Sequence, residues 1–423
     1  MEKVKRENAK YVINFAKEII DRTGPRLPTS PEEKLGAEMI AAKMEEATGK
    51  PSVTETFICA PRASIAAIPI LGLIGIISFG LYYISPIASL FATVCDFILA
   101  AIQVFTYSGK LDFLFKKGES RNVYNSVDPA SGKTERTIVL AGHMDSSWNW
   151  NLSLTNPKTA IPKTVIGVVS ILALLVMSVV AIAVGNISFM SIKDLATAES
   201  YGGMEIFRIV LYFLPLLCLP GCYWLSIYLT WDKKKAAPGA MDNLTGCGLA
   251  IALAKYYKEN PDKAPENCRI VCMGFGSEEA GLKGASAFCE KHKNDGFFDD
   301  RTYVLNLDSF RDRDYFNVVN GDVWLGTTFD KDLTEVCYKV MDDMGLNPKI
   351  IKNPAGGCDS TPVMRIGVKT VTLNAQNPTT TDYYHTIKDT VENLDEDVLA
   401  TSFELLAKTV DAVAEYDSKR NCK

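Results

Sequence analysis

Histidine is scarce in this chain, with three residues in 423. Charge of one sign is also lacking: 45 basic residues face 50 acidic ones, for a net charge of −5. No basic patch with interleaved aromatics occurs outside short clusters beside apolar stretches, so nucleic-acid binding is not expected. The eleven cysteines are an odd count and contain no CxxC pair with a matching partner. Neither a cysteine-type zinc site nor a disulfide framework is therefore indicated, and the thiols fit a reducing compartment. Cys95, Cys218 and Cys222 lie in apolar segments, where a thiol behaves as a small hydrophobe. The start Met1-Glu2-Lys3-Val4-Lys5 has no apolar run behind it, so a secretory signal is not expected.

Charge itself is missing from long stretches. None occurs between Arg62 and Asp96, nor from there to Lys110, nor between Lys163 and Lys193 or Arg208 and Asp232. A bilayer span needs about 20 mostly apolar residues. The pattern predicts four transmembrane helices in two hairpins, the first turning near Ser85-Pro86 and the second joined by a polar connection around Lys193 to Glu205. Residues 62–109 and 158–232 then form the hairpins and divide the remainder into 1–61, 110–157 and 233–423. Lys110, Lys116, Lys117, Lys158, Lys163 and the run Lys233-Lys234-Lys235 flank the spans on the face that carries both termini, which the positive-inside tendency makes cytoplasmic. Pro215 and Pro220 predict a kink in the last span. Asp96 is either a functional group, since an ionisable residue within a span is costly, or the mark of a span boundary.

The rest reads as an ordinary globular sequence. Val12, Phe15, Ala16, Ile19 and Ile20, then Ala37, Ile40, Ala41 and Met44, recur at helical spacing and predict two amphipathic helices, separated by a loop at Gly24 to Pro28. Val53 to Cys59 reads as a strand. The runs Thr137–Ala141, Ile270–Phe275, Tyr303–Leu307 and Thr370–Leu373 are short and apolar, as strands buried on both faces are. Helical patterns fall between them at Leu249–Tyr257, Ala280–Lys291 and Leu333–Met344. The fold class expected is α/β, a mostly parallel central sheet sandwiched by helices.

Ligands in such sheets bind beyond the carboxyl ends of the strands. There the sequence places Gly142-His143-Met144-Asp145, Gly276-Ser277-Glu278-Glu279 and Asp308. A carboxylate two residues from a histidine can fix its tautomer. Of two adjacent glutamates, whose side chains diverge, one can hold a metal while the other faces a water. Each segment alone has a plainer reading, as a loop histidine, a helix cap or a solvated pair opening a helix. Three consecutive strand ends bearing zinc-type ligands shift the balance toward a metal centre.

Together with Pro238-Gly239-Ala240-Met241-Asp242-Asn243, Gly276 to Gly284, Asn306-Leu307-Asp308, Tyr384-His385-Thr386 and the run Lys388 to Asn393, these segments resemble the co-catalytic dizinc exopeptidases, which include bacterial leucyl aminopeptidases and glutamate carboxypeptidases. The resemblance covers the chain outside the hairpins. It implies two zinc ions bridged by Asp242, with His143 and Asp308 completing one site and Glu279 and His385 the other. It implies Glu278 as the general base, Asp145 as the partner of His143, and Tyr384 as a residue that steadies the tetrahedral intermediate; a core role for the tyrosine is the alternative, since Tyr383 is adjacent. The implied activity is peptide-bond hydrolysis by a metal-bridging hydroxide.

One departure stands out: the second hairpin separates His143 from Asp242, which lie close together in soluble members. Both insertions must enter and leave beside the sheet, so the metal site is expected to open toward the membrane. An aminopeptidase is favoured on family frequency. The alternatives are a glutamate carboxypeptidase-like enzyme, to which Arg311, Arg313 or Arg365 would contribute, a single-zinc glutaminyl-cyclase-like enzyme, and a non-catalytic membrane scaffold. The expected partners are a peptide, with hydrophobic peptides among the candidates, and the lipid bilayer. His292, in a charged helix end, reads as a surface residue, and Asp359, in Gly356-Gly357-Cys358-Asp359-Ser360, as either a loop near the substrate pocket or an ordinary turn.

Overall fold

The computed structural model describes residues 2–185, 187–188, 202–230, 232, 234–377 and 383–421, with side chains through residue 416. The chain forms two compact units, one of Met1–Pro61, Asp112–Trp150 and Lys233–Lys423, the other of Arg62–Leu111 and Asn151–Asp232.

The first unit is built on eight strands: β1 Val53–Cys59, β2 Gly118–Val127, β3 Arg136–His143, β4 Cys268–Phe275, β5 Thr302–Phe310, β6 Phe316–Asp322, β7 Lys349–Asn353 and β8 Lys369–Ala375. They form one sheet in the order β1-β2-β4-β3-β5-β8-β6-β7. Its centre, β4-β3-β5-β8, is parallel, whereas β1 with β2, β2 with β4 and β6 with β8 are antiparallel, so the sheet is mixed. Alternation along the central strands divides two cores. Ile138, Leu140, Ile270, Cys272, Tyr303 and Leu305 face one side. Val139, Ala141, Val271, Met273 and Val304 face the other.

On the first face pack the helices Glu2–Thr23, Pro31–Thr48, Thr245–Glu259 and Glu396–Asn421. Ser30 caps the second of these by accepting the Glu33 N–H at 3.0 Å, with Pro31 in its first turn. The Thr245–Glu259 helix is buried along its first ten residues. Glycine permits this: a Cβ at Gly246 would lie 2.3 Å from Leu307 O, and one at Gly142 2.9 Å from Cys247 N. Close packing against β3 and β5 thereby fixes the strands that carry His143 and Asp308.

The Lys283–His292 and Ser360–Arg365 helices cover the other face, where Phe288 is buried among Val271, Met273 and Phe275. Here His292 departs from its reading as a surface residue. It is 6% exposed, with Nδ1 2.6 Å from Asp295, Nε2 2.9 Å from Glu55 and its ring 4.2 Å from that of Phe288. The charged neighbours in sequence concealed a partner on β1.

The second unit contains four helices long and apolar enough to cross a membrane: Ala63–Ile84, Pro86–Phe105, Ala160–Ala183 and Gly203–Thr230. Ser85 ends the first, its N–H donating to Leu81 O at 2.7 Å, and Pro86 opens the second. Pro215 and Pro220 break the last into an α-helix to Phe213, a 3₁₀ stretch Leu214–Cys218 and a further helix from Leu219. Large apolar side chains such as Leu73, Phe91, Val169 and Leu217 face outward. Leu225 packs between Gly72 and Gly167, small residues that let helices approach closely. Asp96 is 4% exposed and lies within the Pro86–Phe105 helix, ten residues from Pro86 and nine from Phe105. Lys193, Asp194 and Glu199 of the expected connection, and Lys233, lie outside the described residues.

Both insertions leave the first unit through paired chain segments. Cys59 of β1 pairs with Gly118 of β2, so Arg62–Leu111 occupies the place of a hairpin turn. Asn151–Asp232 leaves after Ser147–Trp150 and returns to Lys235–Ala237, where Trp148 and Ala236 form an antiparallel bridge.

Candidate metal centre

His143 ends β3, and Asp242 arrives on the loop before the Thr245–Glu259 helix. That loop is held from below by Arg26, a fully buried guanidinium donating to Met144 O at 2.8 Å, Pro238 O at 3.0 Å and Gly239 O at 2.9 Å. Burial pulls the arginine down to about 10, against nearby carboxylates that hold its charge. Gly239 is left-handed, with φ 70°, and a Cβ there would lie 2.6 Å from Ser146 and 2.8 Å from Arg26. Asp389 holds the loop from the other side, accepting the N–H groups of Met241 at 2.8 Å and Asp242 at 3.1 Å. Asn243 donates to Leu307 O at 2.7 Å and so links the loop to β5.

The turn after β4 carries Glu278 and Glu279. Asp145 accepts both of their N–H groups at 3.0 Å and lies 3.5 Å from His143 Nδ1. One carboxylate therefore sets the position of two others and faces the imidazole. Ser277, in the left-handed region at φ 53°, is fixed by Glu33, which accepts its N–H at 2.7 Å and its hydroxyl at 2.8 Å. A non-glycine residue there costs on the order of 1 kcal/mol or more, and such strain persists only where the surroundings impose it. Burial and the nearby Asp145 push Glu33 up to about 8.

Five segments converge on one point. His143 Nε2 is 3.0 Å from Asp242 Oδ1 and 4.0 Å from Asp308 Oδ1, while His385 Nε2 is 3.1 Å from Asp242 Oδ2 and 3.2 Å from Glu279 Oε1. His143, Asp242 and Asp308 thus form one group of donor atoms within 4.8 Å of one another, and Asp242, Glu279 and His385 a second. The two oxygens of Asp242 serve different groups. Asp242 Oδ2 and Glu279 Oε1 are buried and share a single nearby group, the His385 ring nitrogen, too few donors for two carboxylate oxygens. A buried carboxylate oxygen so placed is costly unless a cation meets it. Oxygen donors with imidazole nitrogens are a set that zinc accepts, so the residues fit the metal.

Burial raises Glu278 well above the usual carboxylate range, helped by Asp359, Glu279 and Asp308 against the pull of His143. Burial with the charge of Asp242 raises Asp308 to about 6. Burial alone would lower His385, but Glu279 and Asp242 override it and raise the imidazole to about 10.

Tyr384 is half-buried, its ring stacked on His385 at 3.8 Å, whereas Tyr383 is buried and donates its hydroxyl to Asp312. The adjacent tyrosines thus divide, Tyr383 packing inward and Tyr384 lying beside His385. Asp359 lies in the turn that opens the Ser360–Arg365 helix and is 2% exposed, with both oxygens unpartnered. Arg311 is engaged by Asn393 O at 2.9 Å and Asp312 at 2.8 Å, Arg313 by Asp397 at 2.7 Å, and Arg365 is exposed. Sequence reasoning missed Arg26, Glu33, Asn243 and the loop-holding part of Asp389. The one local signal is Ser30-Pro31-Glu32-Glu33, which has the spacing of a capping box. Glu33 accepts instead from Thr29 N at 2.6 Å and from Ser277.

Residues 230–410 match the profile of Peptidase family M28. The fold aligns with that of an aminopeptidase from Aneurinibacillus sp. strain AM-1, at 11% identity and TM-score 0.54 over 97% of this chain and 95% of that one. It aligns also with a Zn-dependent exopeptidase from Parabacteroides distasonis, at 13% identity and TM-score 0.53 over 95% and 97%. A glutaminyl cyclase from an Acidobacteriales bacterium aligns at 14% identity and TM-score 0.53 over 97% and 95%. At these identities the likeness is one of fold. No curated protein sequence matches the chain.

Proposed function

From the Peptidase family M28 segment at residues 230–410 and the zinc-exopeptidase fold around it, we propose that the chain is a membrane-anchored dizinc aminopeptidase. The observation that carries the reading is Asp242, whose two oxygens face two separate ligand pairs. His143 and Asp308 would hold one zinc, Glu279 and His385 the other, with Asp242 between them. Zinc held by these residues would supply Lewis acidity, lowering the pKa of a water toward about 7 and polarising the scissile carbonyl.

The remaining work falls to the chain's own groups. Glu278, buried and raised, takes the attacking water's proton and delivers it to the leaving amine. Asp145 keeps Glu278 and Glu279 in register and holds His143 with Nε2 toward the metals. The Tyr384 hydroxyl steadies the oxyanion that develops on the carbonyl.

Charge selects which end of the peptide enters. Glu278, Asp308 and Asp359 are carboxylates at or beside the centre, while the three candidate arginines are paired or exposed. A surplus of acid suits a free α-ammonium group and repels a carboxylate. The four apolar helices anchor the enzyme in the bilayer with the peptidase unit in the cytoplasm, and hydrophobic peptides are the substrates such an anchor favours.

Zinc counting and peptide hydrolysis on the detergent-purified chain test the reading. Two ions per chain are expected, with cleavage of free-amine but not amino-blocked peptides, lost in Glu278→Gln. One ion per chain with cyclisation of amino-terminal glutamine would instead favour the activity named for the Acidobacteriales neighbour; His143 and Asp308 beside Asp242 speak against it. A topology reporter at Ala198 tests the orientation, and a cytoplasmic signal there would overturn it.

A further inference from the structure

The segment leading into the second insertion touches more than its return strand. Ser147 O accepts the Ala237 N–H at 2.8 Å, and the Asn149 N–H donates to Lys235 O at 3.0 Å, so the two ends of the insertion are zipped together. The opposite edge of the same segment grips the loop that bears His385. The Trp150 N–H donates to His385 O at 2.8 Å, and the Asn149 side-chain oxygen accepts the Ile387 N–H at 3.0 Å. The Trp150 ring stacks on the His385 imidazole at 6.1 Å.

His385 needs such support. Its backbone is left-handed, with φ 55°, a conformation a histidine keeps only when its neighbours impose it. One bond holds its own carbonyl and another the N–H two residues on, so the residue is bracketed on both sides. Asn149 is fully buried and bonds to both the return strand and the His385 loop.

We infer that Asn149 is a positioning residue for the metal ligand His385, tying it to the two chain ends of the Asn151–Asp232 insertion. The inference rests on His385 holding a zinc ion with Asp242 and Glu279. Asn149 acts through the main chain of the 385–387 loop, so its removal weakens one ion's site and spares the other, built from His143, Asp242 and Asp308.

The test is zinc affinity, measured by chelator competition on the full chain in detergent. Asn149→Ala is expected to weaken one of the two ions by about 10- to 100-fold, the range found when supporting partners of metal ligands are removed, while leaving the other unchanged. Asn149→Asp, which still presents an oxygen to the Ile387 N–H, is expected to restore most of the loss. In a His385→Ala background Asn149→Ala should add nothing, because the path it acts on is gone. Asn149→Leu, close in shape and lacking the acceptor, repeats the measurement should the alanine variant not fold. Two ions bound as tightly as in the wild type by either variant would overturn the inference, as would an equal loss with and without His385. A wild-type chain that binds fewer than two ions would instead remove the dizinc reading on which the inference stands.

Discussion

The two units bury polar side chains in opposite ways. In the α/β unit the partners are distant in sequence: Arg26 reaches residues 144, 238 and 239, and Glu33 reaches Ser277, 244 positions away. In the helical unit hydroxyls bond mostly within their own helix, Ser78 to Ile74 O, Thr93 to Ser89 O and Ser178 to Leu174 O, with Ser89 reaching across to Ser78 O. Polar groups of the first kind fix loops around a point where carboxylate oxygens stand bare. Those of the second kind are satisfied mostly within a helix, with a few cross-helix bonds such as Tyr82 to Leu211 O, beneath large apolar side chains that face outward. Substitutions should therefore be costly and specific in one unit and mild in the other.

The largest effect is expected at the centre itself. Glu278→Gln should lower kcat by about 10²- to 10⁴-fold with zinc content unchanged, as measured by peptide hydrolysis beside metal analysis. Loss of zinc in that variant would mean that Glu278 is a ligand and not the base. Next comes Arg26→Met, which strips donors from three buried carbonyls and should cost about 3–5 kcal/mol in denaturant unfolding. A cost below about 1 kcal/mol would break the contrast between the units.

Glu33 gives a pH signature. Its folded pKa of about 8 lies above the ordinary 4.5, so its contribution is full below about 4.5 and lost as pH rises through about 8. The metal-free protein should melt at falling temperature from pH 5 to 8, and Glu33→Gln should flatten the slope, an effect of a few kcal/mol at most. An unchanged slope would show that other groups govern it. The smallest effect belongs to the helical unit: Ser89→Ala should cost about 0.6 kcal/mol, typical of hydrogen bonds between membrane helices, in unfolding from mixed detergent micelles. A loss above about 2 kcal/mol would show that this unit too is organised by its polar contacts.

What was legible in the sequence follows the same division. Apolar runs announced the central strands, since burial on both faces leaves no polar positions, and charge-free runs announced the four long helices. The motifs pointed to His143, Asp242, Glu278, Glu279, Asp308 and His385, and the structure brings those six together. Of the two edge strands, β1 was legible at Val53 to Cys59, whereas β7, Lys-Ile-Ile-Lys-Asn, is largely exposed and has no apolar run to mark it. Arg26, Glu33 and Asn149 escaped because Pro238, Ser277 and Ile387, the partners through which each holds the site, lie more than two hundred positions away and no local pattern encodes such a contact. His292 was misplaced for that reason, its partner Glu55 lying 237 positions earlier.

The bridging place of Asp242 is tested most directly by counting zinc in the wild-type chain and in Asp242→Ala, His385→Ala and Asp308→Ala, each purified in detergent. A bridge between two ions requires two zinc ions in the wild type, close to one when either outer ligand is lost, and the loss of both when Asp242 is removed. Retention of a tightly bound ion in Asp242→Ala, or a single ion in the wild type, would contradict it.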